Sequence, residues 1–328
     1  MNEEEKMTAT TTRHLVDPEI ISMLDMFPPL NLSVESLPQM REVLNEMNAQ
    51  VLATLPETPD IAVSERRIPG PQGAPDVRVL VYLPKNVSTP TPGLLWIHGG
   101  GYVLGNADQA RPQVQGIISA TGCAVVAVDY RLAPEVPHPG PVEDCYAALK
   151  WLYTNADELG VDANRLAIGG DSAGGGLTAA LALLTRDRGE VPLIFQLLIY
   201  PMLDDRTVTA ADPHPYTGEY VWTADANHFG WAALLGQEPG GPDVSPYAAP
   251  ARAEHLEGLP PALIGVGTLD LFLEEDLEYA RRLMRAGVPT ELHVYPGAFH
   301  AFPMAADAKV SQAFIRDYLN ALTRAFNK

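Results

Sequence analysis

Apolar positions recur along this chain in two rhythms, one of period two and one near 3.6, and the rhythms alternate for most of its length. "IAVSERRI" (61–68) and "VRVLVYLP" (77–84) alternate apolar and polar residues, the pattern of half-exposed antiparallel strands. "GLLWIH", "CAVVAVDY", "RLAIGG", "LIFQLLIYP", "PALIGVG" and "TELHVYP" are continuous apolar runs, as in a parallel sheet buried on both faces. Between the later runs lie amphipathic stretches: "PVEDCYAALKWLYTNADEL" with Pro141 in its first turn, "AGGGLTAALALLTRDRG", "LEEDLEYARRLMRAG" closing at Gly287, and "AKVSQAFIRDYLNALTRAF". Strand and helix alternating in this way predict an α/β fold with a mostly parallel central sheet and helices on both faces.

Two regions stand outside that alternation. Residues 1–50 precede any strand and carry helical patterning in "PEIISMLDMF" and in the stretch from Ser33, whose helix proper begins at Pro38. Residues 204–252 hold prolines, aromatics and one helical patch, "TADANHFGWAALLG", but no strand signal, and loops that long are functional or carry their own structure. The chain is therefore divided into a cap segment (1–50), a core (51–203), a cap insertion (204–252) and the rest of the core (253–328). The two outlying regions together form a helical lid.

Composition narrows the partners. With 328 residues and 46% hydrophobic content the chain can bury a large core. A net charge of −19, spread over short clusters such as Glu3 to Glu5 and Glu274 to Asp276, disfavours nucleic acid and anionic membranes. The N-terminal "MNEEEKMTATTTRH" lacks the basic and apolar regions of a signal peptide, and no apolar run reaches the roughly 20 residues of a membrane span. Cys123 and Cys145 are too few for a disulfide framework, so a cytoplasmic chain with two buried thiols is expected.

The chemistry is carried by glycine-rich turns at strand ends. "IGGDSAGGG" (168–176) places Ser172 among five glycines. Glycine in a helix start destabilises it by roughly 0.5–1 kcal/mol relative to alanine, so the missing side chains must serve a geometry. Gly170-x-Ser172-x-Gly174 between strand and helix is the nucleophile elbow, a turn so tight that only glycine fits two residues either side of an exposed serine. "WIHGGGYVLG" puts Gly99, Gly100 and Gly101 after another strand, where backbone N–H groups can approach an oxyanion; no Gly-Lys-Ser/Thr follows to make it a phosphate loop. His98 is read as holding that loop rather than acting as a base.

A serine nucleophile of this fold is followed by an acid and then a histidine. Asp270 sits just past the strand "ALIGVG", whereas Glu274, Glu275 and Asp276 fall in the first turn of a helix, where acidic residues suit the dipole. His300, on the loop after the last strand, alone meets both order and context: His14, His98 and His138 precede Ser172, His214, His228 and His255 lie in or near the insertion, and His293 lies within a strand.

"HGGGYVLG", "VDYRLAPEVPHPGPVEDCYAALKWL", "GDSAGG", "LDLFLEED" and "PGAFHAF" together resemble the bacterial hormone-sensitive-lipase-like esterases of the α/β-hydrolase fold, from about Val77 to the C-terminus. The resemblance implies Ser172, Asp270 and His300 as a catalytic triad, backbone N–H groups of Gly100, Gly101 and Ala173 as the oxyanion hole, and a cap over the site. Residues Asp129 to Glu135 and Asp144 match family positions read as structural. Where such esterases carry Asp-Pro-Leu and His-Gly-Phe, this chain has Asp270-Leu271-Phe272 and His300-Ala301-Phe302.

The expected activity is hydrolysis of short- to medium-chain acyl esters through an acyl-enzyme, with no metal or organic cofactor. Tyr102, Phe27, Tyr220, Trp222 and Phe229 are the expected pocket aromatics. An amidase with the same triad is the alternative within this chemistry, and a non-catalytic small-molecule receptor the alternative outside it. The last strand, at the sheet edge, could pair two copies into a homodimer.

Overall fold

The structure is a computed structural model that describes residues 11–26, 30–56, 58–85, 87 and 90–327. Its frame is one eight-stranded sheet. In chain order the strands are β1 (Ile61–Ile68), β2 (Val77–Pro84), β3 (Thr91–Ile97), β4 (Ala124–Asp129), β5 (Val161–Asp171), β6 (Phe195–Ile199), β7 (Ala262–Gly267) and β8 (Thr290–Tyr295). Each of the eight apolar or alternating runs forms one strand. They lie side by side as β1-β2-β4-β3-β5-β6-β7-β8, antiparallel from β1 to β4 and parallel from there on.

One expectation about burial fails. β1, at an edge, is largely exposed, but β2 is buried on both faces because it lies between β1 and β4 under helices. Its polar-looking alternation rests on Arg78, whose guanidinium reaches Asp108 and Asp129 at 2.8 and 3.4 Å.

Helices cover the sheet in two layers because side chains alternate along each strand. Leu95 and Ile97 point into a cluster with α3 (Gly140–Thr154), α5 (Ala173–Arg188) and α7 (Leu273–Arg285). Leu94 and Trp96 point oppositely, toward α2 (Arg111–Thr121) and α8 (Lys309–Phe326). The sequence reading missed α2, and it ran α3 through Asn155, where the helix stops before a separate turn at Ala156–Leu159, α4. Cys123 and Cys145 are buried and unbonded.

The described residues of the two outlying regions carry helices and no strand. The described residues of "PEIISMLDMF" form a short 3-10 helix, Ile21–Asp25, instead of an amphipathic α-helix, with Ile20 and Met23 buried. The helix α1 spans Leu37–Thr54, beyond the expected start of the core, and α6 spans Ala224–Leu235 within a strandless insertion. β8 is an edge strand with Val294 exposed. No helix among the described residues is long and apolar enough to cross a membrane.

Candidate active site

The site is assembled where parallel strands end. β5 runs into Ser172, which takes φ 56° and ψ −122°, a conformation that L-residues avoid, before α5 begins at Ala173. The turn survives because its neighbours lack side chains. A Cβ on Gly170 would lie 2.5 Å from the carbonyl oxygens of Gly174 and Ile97, and one on Gly174 would collide with the Ile97 carbonyl. Ser172 N–H donates to the Ile199 carbonyl (2.9 Å), tying the elbow to β6.

Asp270 and His300 arrive from the ends of β7 and β8. The His300 Nδ1–H donates to Asp270 Oδ2 at 2.8 Å, and Ser172 Oγ–H donates to His300 Nε2 at 2.9 Å. A carboxylate only accepts, so it fixes the tautomer and leaves Nε2 as the acceptor. The other Asp270 oxygen accepts the Phe272 N–H at 3.1 Å. All three side chains are buried. A serine so arranged can lose its proton as it attacks a carbonyl carbon.

The glycine loop after β3 lies against the elbow. Gly100 and Gly101 take φ 122° and 58°, and the Gly100 carbonyl accepts from Val103 and Leu104 at 3.1 and 2.8 Å, which curls the loop. Among the described residues no group takes up the N–H of Gly100, Gly101 or Ala173. Ala173 opens α5, where the helix dipole adds partial positive charge. His98 does hold this loop. Its Nδ1–H donates to the Gly99 carbonyl (2.8 Å), its ring stacks on Tyr130 at 4.2 Å, and Tyr130 Oη–H donates to the His98 carbonyl (3.0 Å). Burial lowers the His98 pKa, keeping the ring neutral.

Elements of the two outlying regions meet this loop directly. A Cβ on Gly230 would sit 2.7 Å from the Gly101 carbonyl oxygen, so α6 rests on the glycine backbone. Arg41 of α1 donates to the carbonyls of Val103 (2.7 Å) and Ala133 (2.8 Å) and to both Glu135 oxygens. Asp144, fully buried, accepts from the Arg131 guanidinium at 2.8 and 2.7 Å. The "DYRLAPE" stretch is thus a structural brace.

Of the five aromatic candidates, Trp222 reaches the site: its ring lies against Gly101 and 6.5 Å from the His300 ring, with Nε1–H donating to Asn227 at 3.0 Å. Tyr102 is fully buried, its hydroxyl donating to the Met202 carbonyl (2.9 Å) and its ring packed on Trp231. Tyr220 packs on Phe299 at 5.8 Å, and Phe229 joins Leu37, Val103 and Leu104 beneath α1. Phe27 lies outside the described residues. Sequence reasoning overlooked Tyr200 and Phe272, whose rings meet His300 edge-on at 4.8 and 5.2 Å. Their signal was positional, at the strand end of β6 and two residues after Asp270.

Known proteins share this architecture. A family described by the alpha/beta hydrolase fold matches residues 94–304, well over half of the chain. Carboxylesterase NlhH of Mycobacterium tuberculosis is 37% identical over 316 residues, covering 91% of this chain and 94% of its own. Among solved structures, a bacterial heroin esterase superposes with a TM-score of 0.91 at 40% identity, covering 97% of this chain and 100% of its own. Esterase LipW from Mycobacterium marinum gives 0.85 at 35%, covering 96% and 98%. With relatives of that identity along nearly its whole length, and with the ordered blocks of its sequence falling on the strand ends described above, the chain belongs to the α/β-hydrolase family, among the hormone-sensitive-lipase-like esterases.

Proposed function

We propose that this carboxylic ester hydrolase is a serine carboxylesterase for short- to medium-chain acyl esters, with Ser172 as nucleophile, His300 as base, and Asp270 orienting the base. The observation that carries this reading is the aligned pair of hydrogen bonds, 2.9 and 2.8 Å, joining side chains from three separate strand ends. In acylation, Ser172 Oγ bonds to the ester carbonyl carbon as its proton passes to His300 Nε2. The negative oxygen is received by the N–H groups of Gly100, Gly101 and Ala173. Collapse breaks the bond to the alcohol oxygen, which leaves with the proton from His300. Water then attacks the acyl-enzyme, giving its proton to His300, and the carboxylic acid departs as Ser172 regains a proton.

A small acyl group is favoured because the site is closed above by Trp222 and α6, with Ser172 only 5% exposed. The heroin esterase it resembles is named for a small-molecule ester. The described parts of 11–54 and 204–252 would serve as the cap that sets this limit. The open β8 edge favours a homodimer, which a monomeric mass at high concentration would dismiss.

The test is turnover of p-nitrophenyl esters of increasing acyl length, and of matching anilides, by the native protein beside Ser172→Ala. The expected result is a maximum at short acyl length, with the variant down by about 10⁴-fold or more. Faster turnover of anilides, or full activity in the variant, overturns the reading.

A further inference from the structure

The stretch that leads into α6 touches all three loops of the site. Gly218 N–H donates to the carbonyl of Leu269, next to Asp270, at 3.1 Å, and a Cβ on Gly218 would lie 2.7 Å from the Leu271 side chain. The Glu219 carboxylate accepts the Thr12 N–H and hydroxyl, both at 2.6 Å. The Tyr220 ring packs on Phe299, next to His300, at 5.8 Å. Trp222 then lies over Gly101, where a Cβ would collide with its ring, and the same ring edge faces Gly230 of α6. Residues 218–220 are thus fixed to the loops that carry Asp270 and His300, and Trp222 covers the glycine loop.

The joint between them is strained. Val221 takes φ 62°, and the Trp222 N–H donates back to the Tyr220 carbonyl at 2.7 Å, a γ-turn of the hand that a β-branched residue avoids. Beyond that joint the indole is held by its Nε1–H, which donates to Asn227 Oδ1 at 3.0 Å. An indole nitrogen only donates, so the amide must present its oxygen and turn Nδ2 away. Asn227 is fully buried, and among the described residues Nδ2 has no acceptor. Trp222 and Asn227 stand just before the N-cap Thr223 and one turn into α6, the two places where an apolar pair ordinarily fixes how a chain enters a helix. An amide that leaves a buried donor unmet is a costlier staple than an apolar side chain. What the amide adds is one directional bond, which breaks when the ring moves and re-forms when it returns.

We infer that Trp222 is a specificity-determining residue, a gate hinged at Val221 and latched by Asn227, which a longer acyl chain must displace and a short one need not. This rests on the proposed reading of a serine esterase for small acyl groups. Ser172 is 5% exposed and Trp222 4%, so an ester passes this cover before it reaches the hydroxyl. The floor does not yield, because its elbow glycines face backbone carbonyls. The helix α6 is itself buried along one face from Ala226 to Leu234, which leaves the indole ahead of it as the lighter part to move. Asn227 is a positioning residue that acts through that indole.

The experiment compares kcat and KM for p-nitrophenyl acetate and octanoate in the native enzyme, Asn227→Leu, Trp222→Phe and the double variant, with melting curves and acrylamide quenching of tryptophan emission. Leucine keeps the shape of the amide but accepts no hydrogen bond. Asn227→Leu should raise the octanoate-to-acetate ratio of kcat/KM by roughly three- to tenfold, mainly through a lower KM for octanoate, and should make the emission easier to quench. In the Trp222→Phe background the same change should do neither, because no indole N–H remains to be latched. If Asn227→Leu moves only Tm, the pair is a staple and the inference is overturned. A shift of the ratio as large in the Trp222→Phe background overturns it too. Should Asn227→Leu fail to fold, Asn227→Ser, polar but too short to reach the indole, takes its place with the same readouts. A native enzyme faster on octanoate than on acetate, or Ser172→Ala with full turnover, overturns the esterase reading instead, and the latch is then decided by the quenching.

Discussion

The floor of the site and α1 of its proposed cap are built to different tolerances. On the floor, α5 is buried without a break from Ala173 to Thr185, and the elbow glycines face backbone carbonyls that cannot move without the sheet. In the cap, the eighteen-residue α1 buries only Leu37, a side chain whose burial stabilises by roughly 1.5–3 kcal/mol, and it leaves Val43, Met47 and Val51 exposed. Arg41 is its main polar tie, reaching Val103, Ala133 and Glu135. Positions on the floor are over-determined, whereas α1 is held by a few contacts; α6, which buries Ala226, Asn227, Gly230, Trp231 and Leu234, resembles the floor in this respect. Alterations on the floor should therefore act on kcat and folding, and alterations in α1 on substrate affinity.

The comparison breaks most visibly at Asp270. Asp270→Asn keeps the shape but lets the amide donate to Nδ1, favouring the tautomer in which Nε2 carries the hydrogen and cannot accept the serine proton. A fall in kcat on the order of 10⁴-fold, with KM little changed, is expected. A loss of less than tenfold would place the orienting acid elsewhere. Gly174→Ala comes next, because its Cβ has no space between the Ile97 and His98 carbonyls. The expected destabilisation is on the order of 3 kcal/mol or more, seen in denaturant melts, with activity falling alongside. A normal melt would show that the elbow relaxes more readily than its backbone contacts suggest.

What the sequence made legible follows the same division. Every strand was visible, because alternation in β1 and β2 and continuous apolar runs in the other six are local signals that need no long-range information. The strand order, which places β4 between β2 and β3, was not, because it depends on pairing between distant segments. The residues of the relay were found from glycine spacing and chain order, both local signals. The contacts of Tyr200 and Phe272 with His300 were invisible, since each arises where separate strands end side by side. The helix α2 was passed over because Gly116 and its polar residues obscure the buried triplet Val114, Ile117 and Ile118.

The cap side of the comparison is sharpened by Arg41→Ala. Its guanidinium is partly exposed and Glu135 more so, so solvent screening limits the ion pair; the two carbonyls it bridges contribute most. A loss of about 1 kcal/mol should appear as a roughly fivefold rise in KM for the longer esters, with kcat on the acetate ester within about twofold, and as faster proteolysis within α1. A matching fall in kcat would mean that α1 also holds the oxyanion loop in place.

The smallest effect tests the floor from the opposite direction, by adding a glycine. Ala301 follows His300 with φ 63° and ψ 16°, in the left-handed region where an L-residue is disfavoured by roughly 1–2 kcal/mol. Ala301→Gly removes that strain but gives the unfolded chain more freedom to lose, about 0.5–1 kcal/mol. Relief of the strain outweighs the added freedom of the unfolded chain, so the variant should gain on the order of 0.5 kcal/mol, about one or two degrees in Tm, with activity within about twofold. The two kinds of floor position then separate cleanly: glycines at 170 and 174 are required by collision, whereas the residue after His300 is constrained only by its dihedral angles. A fall in Tm would show that the Ala301 methyl contributes packing that exceeds its backbone strain.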